Sequence, residues 1–305
     1  MRDKIFGLKP SGESGVWGDG RRRRILRRAI LGAAVVITLL FKPGTGFSGH
    51  IVSLAYTAFR EWFKWRLIIN TWQMEKITSE HFYVKYRRGS EEIAGLVLEA
   101  AEYFYPALAL EFGYSCQHKI PVILYSSRSE LSGAYGWGSG ESAMGVYWAG
   151  TIGVLDPRLW LAASPPKGDV RKEFLASGPL AHEITHLMVD YVSAGRCPRW
   201  LNEGIAQYYE YVLAGTEPVT LDSGTGSVYT LRELETDFEG LPDWELAYWQ
   251  SLDIVRYLAG RFGRDSLVRL LGEMGRGASL SEALESVCGI TPEELELQWR
   301  AGLGF

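Results

Sequence analysis

"LASGPLAHEITHLMVDYV" occupies residues 175–192, and its middle decides the fold. His182 and His186 lie four apart, with Glu183 directly after the first, in a chain that has only 5 His. On a helix each residue advances by about 100°, so the two imidazoles project from one face, one turn apart. So placed, they can bind one zinc ion at about 2.0–2.1 Å. Glu183 is turned too far round to join them as a ligand, but it can reach a water at the metal and take its proton. The spacing therefore carries a hydrolytic mechanism, provided a third ligand exists.

Glu203 supplies that ligand. It follows His186 in "PRWLNEGIAQYYE", after a gap holding Gly195 and Pro198, which end one helix and turn the chain back. Glu203 then opens a second helix that faces the first. An acid in a helix's first turn also favours the macrodipole. Beside the two histidines the ligand reading is the stronger.

These residues carry a resemblance. "HEITHLMVDYVSAG" resembles the zinc helix of thermolysin-like peptidases, and "WLNEGIAQYYEY" is similar to the third-ligand segment of aminopeptidase N-type enzymes. Both groups are gluzincins, zinc peptidases with HExxH and a downstream Glu. The whole pattern over residues 78–302 resembles the peptidase MA-like membrane-linked proteins of that clan. The resemblance implies one Zn2+ held by His182, His186 and Glu203, with Glu183 as general base. It also implies an oxyanion-steadying tyrosine at the start of a later helix. "LAYWQSLDIVRYLAGRFG" (246–263) is similar to that helix and puts Tyr248 in the place, against the plainer reading of a core aromatic.

Two departures from these families stand out. Thermolysin-like enzymes carry an Asp four residues after the third ligand, orienting a zinc histidine; here that residue is Gln207, leaving Gln207, Asp190 or Glu210 for the task. The aminopeptidases carry a Gly-Ala-Met-Glu-Asn strand whose Glu binds the substrate amine. "SAMGVYWAG" has no such Glu, which favours an endopeptidase. The segment Ala149 to Leu155 is expected to be the edge strand that pairs with an extended peptide.

Composition sets the surroundings. The chain has 305 residues, 47% hydrophobic and 22% charged, as expected of a folded protein with a core. Residues 1–28 carry nine cations and three acids, a net +6; since the whole is −4, residues 29–305 are −10. An acidic body argues against nucleic acid as partner. After the basic head, Ala29 to Phe41 has no charge and no Pro. That pattern is a signal anchor at 25–41, with a cleaved signal and a buried soluble helix as the other readings. The charge step places the N-terminus in the cytoplasm and the catalytic domain outside, on a single-pass anchor in membrane lipid. The alternative is secretion after signal cleavage. The three cysteines form no CxxC, and one disulfide is possible.

The expected fold class is α+β. A zincin-like catalytic domain, built from a small mixed sheet plus the HExxH helix, has a helical C-terminal part and is preceded by one membrane helix. The expected segments are a basic tail (1–24), the anchor (25–41), a linker with an amphipathic helix (42–75), the catalytic region (76–214) and the helical region (215–305). The amphipathic helix, Ile51 to Ile69, carries Trp62 and Trp65 and either lies at a membrane interface or packs on the main domain. Strands are expected at 80–86 and 119–127, with a further strand or hairpin at 146–157. Helices are expected at 91–112, 174–192, 200–212, 244–262, 264–274, 279–287 and 291–301, and 132–145 reads as a glycine-rich loop. The expected activity is hydrolysis of peptide bonds in a peptide or protein substrate. Rivals are a non-catalytic membrane-tethered binding or assembly protein with a residual zinc site, and a soluble cytoplasmic peptidase.

Overall fold

The strand Ile120–Tyr125 (β3) is buried at all positions, so the sheet must be covered on both faces. The computed structural model describes residues 48–136, 143–161, 170–215 and 228–303, with side chains from residue 55 onward. The basic tail, the 25–41 anchor and the hinge up to residue 47 lie outside the described residues. So do residues 137–142 of the glycine-rich loop and most of the turn-rich stretch after residue 214.

The chain enters through α1 (Ser48–Asn70), then forms β1 (Glu75–Thr78) and β2 (Phe82–Tyr86). Helix α2 (Glu91–Phe112) crosses to β3, and α3 (Arg128–Tyr135) follows. A hairpin of β4 (Gly145–Trp148) and β5 (Thr151–Leu155) completes the sheet. Its order is β1-β2-β3-β5-β4, with β2, β3 and β5 parallel and the outer pairs antiparallel. The rest is helical: α4 (Val170–Ser177), α5 (Leu180–Ser193), α6 (Arg199–Ala214), α7 (Leu231–Asp237), α8 (Trp244–Phe262), α9 (Asp265–Arg276), α10 (Leu280–Cys288) and α11 (Pro292–Leu303).

The period of two along each strand divides the core. Phe82, Val84, Val122, Leu124, Ile152 and Val154 face α2, α5 and the C-terminal helices. Ile123, Tyr125 and Leu155 face the other way, onto Phe63 and Leu67 of α1 and Leu131 of α3. The first cluster runs without a break to Trp299, through both the 76–214 and 215–305 segments. Among the described residues α2 is the one helix long and apolar enough to cross a membrane by length and composition. Its face from Ala94 through Val97, Ala101, Phe104 and Leu108 to Phe112 lies buried in this core.

Several expectations need correction. The segment 174–192 is two helices, because Gly178 and Pro179 end α4 and start α5; Pro179, lacking an N–H, suits a helix start. Strand β1 and helices α3 and α7 were not expected; each spans eight residues or fewer, too short for periodicity to reveal. Ala149 to Leu155 is not the edge of the sheet. Its strand, β5, lies between β3 and β4, and the edge is β4. The cysteines Cys116, Cys197 and Cys288 are all free.

Candidate metal centre

Helix α5 is buried along most of its length and carries His182, Glu183 and His186 toward α6. It ends where Ala194 and Gly195 take left-handed backbone (φ 52° and 73°), which turns the chain back. Helix α6 then returns alongside and presents Glu203 in its second turn. Gly204 allows the next layer to close: a Cβ there would lie 2.3 Å from the Ser251 carbonyl of α8. The glycine after the glutamate thus brings α8, with Tyr248, onto α6.

The three expected ligands converge. His182 Nε2 lies 3.5 Å from Glu203 Oε2, and His186 Nε2 lies 3.7 Å from Glu203 Oε1. One ligand atom from each residue falls within 4.8 Å of the others. The opposite ring nitrogens are both held: His182 Nδ1 by Glu210 at 3.0 Å, His186 Nδ1 by Asn202 Oδ1 at 2.8 Å. An acceptor at Nδ1 keeps the proton on that nitrogen and turns the Nε2 lone pair inward. Two imidazoles and a carboxylate so arranged fit zinc and leave a fourth position open.

Of the candidates for orienting the histidines, Glu210 does so and the other two do not. Gln207 instead donates to the backbone carbonyls of Glu203 and Tyr248, at 3.3 and 3.0 Å, and joins α6 to α8. Asp190 accepts from Tyr56 at 2.6 Å, from Tyr147 and from Arg60. It lies two turns past His182 and faces α1. Asn202 was not foreseen, although it directly precedes Glu203 and so shares its approach to α5.

Burial sets the charges. It pushes the Glu183 carboxyl up to about 7 and the His186 imidazole down to about 4. Burial would also raise Glu203, but His186, Arg199 and His182 outweigh it and hold that carboxyl at about 2. For His182, burial favours the neutral ring, yet hydrogen bonds to Glu203 and Glu210 prevail and raise it. Glu203 is thus ionised beside a neutral His186, and a dication at the Nε2 atoms would take the place of the proton that the neighbouring carboxylates hold on His182.

Arg199, also unforeseen, sits one helical turn before Glu203. It reaches Glu203 Oε1 at 3.0 Å and Glu239 at 3.0 Å, and its side chain hydrogen-bonds with Tyr248. Tyr248 packs between Phe238 and Trp244, and burial, then the nearby Glu203 charge, raises its phenol. It therefore faces the Glu203 side of the centre. On the other side runs β4. A Cβ on Gly145 would meet Pro179 at 2.5 Å and Glu183 Cγ at 2.9 Å, and the Tyr147 backbone N–H hydrogen-bonds to Glu183. The outer edge of the sheet, with no further strand among the described residues, thus lies directly against Glu183.

Residues 170–304 match the family model of the Peptidase MA superfamily. No curated protein and no solved structure gave a match. The matched segment holds both helices of the centre, all three converging ligands, Glu183 and Tyr248. Residues 170–304 accordingly form a peptidase MA-like domain of the gluzincin kind.

Proposed function

We propose that the protein is a zinc-dependent endopeptidase held to the membrane by residues 25–41, with its catalytic domain outside the cytoplasm. The observation that carries the activity is the convergence of His182, His186 and Glu203, with both Nδ1 atoms anchored and Glu183 beside the cluster. Zinc held by these residues would polarise the scissile carbonyl and acidify the attacking water. Glu183 takes the proton from that water and hands it to the leaving amine. The Tyr248 phenol, steadied by Arg199, donates to the oxygen that gains charge. The outer edge of β4, which has no strand partner among the described residues, pairs with an extended substrate backbone above the centre. Gly145 occupies the fourth place of "SAMGV", where aminopeptidases keep their amine-binding Glu; packed on Pro179, it has no room for one.

The test compares wild type with Glu183→Gln. Both should carry one zinc per chain by elemental analysis, and the variant should lose cleavage of a peptide library by at least ~100-fold. Equal cleavage by both overturns the assignment of the base. Zinc binding without cleavage of any unstructured substrate by wild type supports the non-catalytic binding protein instead. Recovery in the membrane fraction, with the C-terminus open to external protease, is the expected location; a soluble cytoplasmic chain overturns it.

A further inference from the structure

The outer face of α1 has no protein neighbour among the described residues. Trp62 (55% exposed), Trp65 (62%), Ile69 (61%) and, just past the helix, Trp72 (73%) point away from the domain. The inner face is fixed. Phe63 and Leu67 are buried under the sheet, Tyr56 and Arg60 bind Asp190 on α5, and Gly195 packs against the Tyr56 ring. The helix therefore cannot roll its tryptophans inward without breaking buried polar contacts.

What covers this face follows from three features. Its side chains are large aromatics with one cation, Arg66, which lies 5.9 Å from the Trp62 ring and has no acidic partner among the described residues. The acid flanking this face, Glu61, is already paired with Lys64 at 2.9 Å; indoles with an unpaired arginine suit the headgroup layer of a bilayer, where an amphipathic ring keeps one end wet. Beside the tryptophans opens a cavity of about 390 Å³, walled by Arg66, Asn70, Arg87, Arg88 and Glu130. Arg87 there pairs with Glu130 at 2.6 Å and Arg88 with Glu75 at 3.3 Å, so three arginines meet two acids and the rim keeps a small positive excess on a body whose net charge is −10, as counted above. Finally, the uncharged run 29–41 ends only six residues before α1 begins, so any anchor there leaves this helix little distance from the lipid.

We infer that the Trp62–Trp65–Ile69–Trp72 face of α1 docks onto an anionic bilayer surface, with Arg66 and the neighbouring arginine-lined cavity taking lipid phosphate. The inference does not depend on peptidase activity, so the two fail separately. The probe is the full chain in vesicles of phosphatidylcholine and phosphatidylglycerol whose acyl chains are brominated near the headgroup. Bromine should quench a large share of the tryptophan emission. In Trp62→Gln/Trp65→Gln/Trp72→Gln the quenched share should fall by roughly two-fold or more. Arg66→Glu should weaken quenching in anionic vesicles and leave it unchanged in pure phosphatidylcholine. Thermal unfolding of both variants should match wild type, since no substituted residue is buried. Equal quenching of wild type and the triple variant overturns the inference. So does crosslinking through position 65 to residues 29–41 or to a second copy, which would name a protein occupant in place of lipid.

Discussion

At the residue scale the centre divides into the three residues whose donor atoms converge and the groups that aim them. Glu210 and Asn202 fix the two imidazoles, while Gln207 only ties α6 to α8. Glu210→Ala and Asn202→Ala should each lower zinc affinity by about 10- to 100-fold, read by competition with a chelating dye. Gln207→Ala should leave it within about two-fold, because that amide touches no ring. The sequence made His182, Glu183, His186 and Glu203 legible because a helix converts spacing into direction. It could not rank Gln207, Asp190 and Glu210 as orienting groups, since that depends on where a neighbouring helix lies. Arg199 escaped notice for the same reason: an arginine one turn before a glutamate reads as a surface pair until α8 brings Tyr248 into hydrogen-bond reach of it.

At the element scale, close approach decides what the helices can do. Gly204 meets the Ser251 carbonyl, so Gly204→Ala should push α8 from α6 and cost about 1–3 kcal/mol in denaturant unfolding. Tyr248 should then drift from the centre, and kcat should fall while zinc content holds. Strand β2 docks on α2 through a different device. Glu102 accepts from the His81 backbone N–H at 2.7 Å and meets its ring at 2.8 Å. Burial opposes the carboxylate, but hydrogen bonds from Ser79 and His81 prevail and lower its pKa. A lowered carboxyl adds stability that is present above its unfolded value and lost as pH falls through the folded one. Glu102→Gln should therefore cost about 1 kcal/mol at pH 7 and much less at pH 3, by thermal unfolding. The long helices 91–112 and 244–262 stood in the sequence to the residue, because three or more turns of one-sided burial leave an unmistakable period. The short α3, α7 and β1 did not.

At the scale of the whole molecule, α1 is the element that joins the HExxH helix, α5, to whatever lies outside. Asp190 sits on α5, one turn beyond His186, and is buried against Arg60 and the Tyr56 and Tyr147 hydroxyls. Asp190→Ala would leave the Arg60 guanidinium buried and unpaired. It should cost about 3–5 kcal/mol and release α1 to limited proteolysis before the rest of the domain unfolds. The same cluster includes Tyr147 of β4, so it fixes the β4 edge relative to α1. Strand β4 runs from Gly145 beside Glu183 to Trp148, whose ring packs edge-on against Phe63 of α1 at 6.1 Å. A chain laid along that edge would pass from the metal centre toward the tryptophan face.

What the sequence alone determined were properties legible segment by segment: His182, Glu183 and His186 on one helix, Glu203 near the start of the next, the long amphipathic segments and the step in charge near the N-terminus. These follow from periodicity and composition, which need no knowledge of neighbours. Only the tertiary structure decided which strand is the edge, which side chains aim the imidazoles and which face of α1 is left bare. Each of those depends on two elements distant in the chain meeting, as Glu210 meets His182 and Gly145 meets Pro179. Such meetings are set by packing of the whole core, and no single segment encodes them.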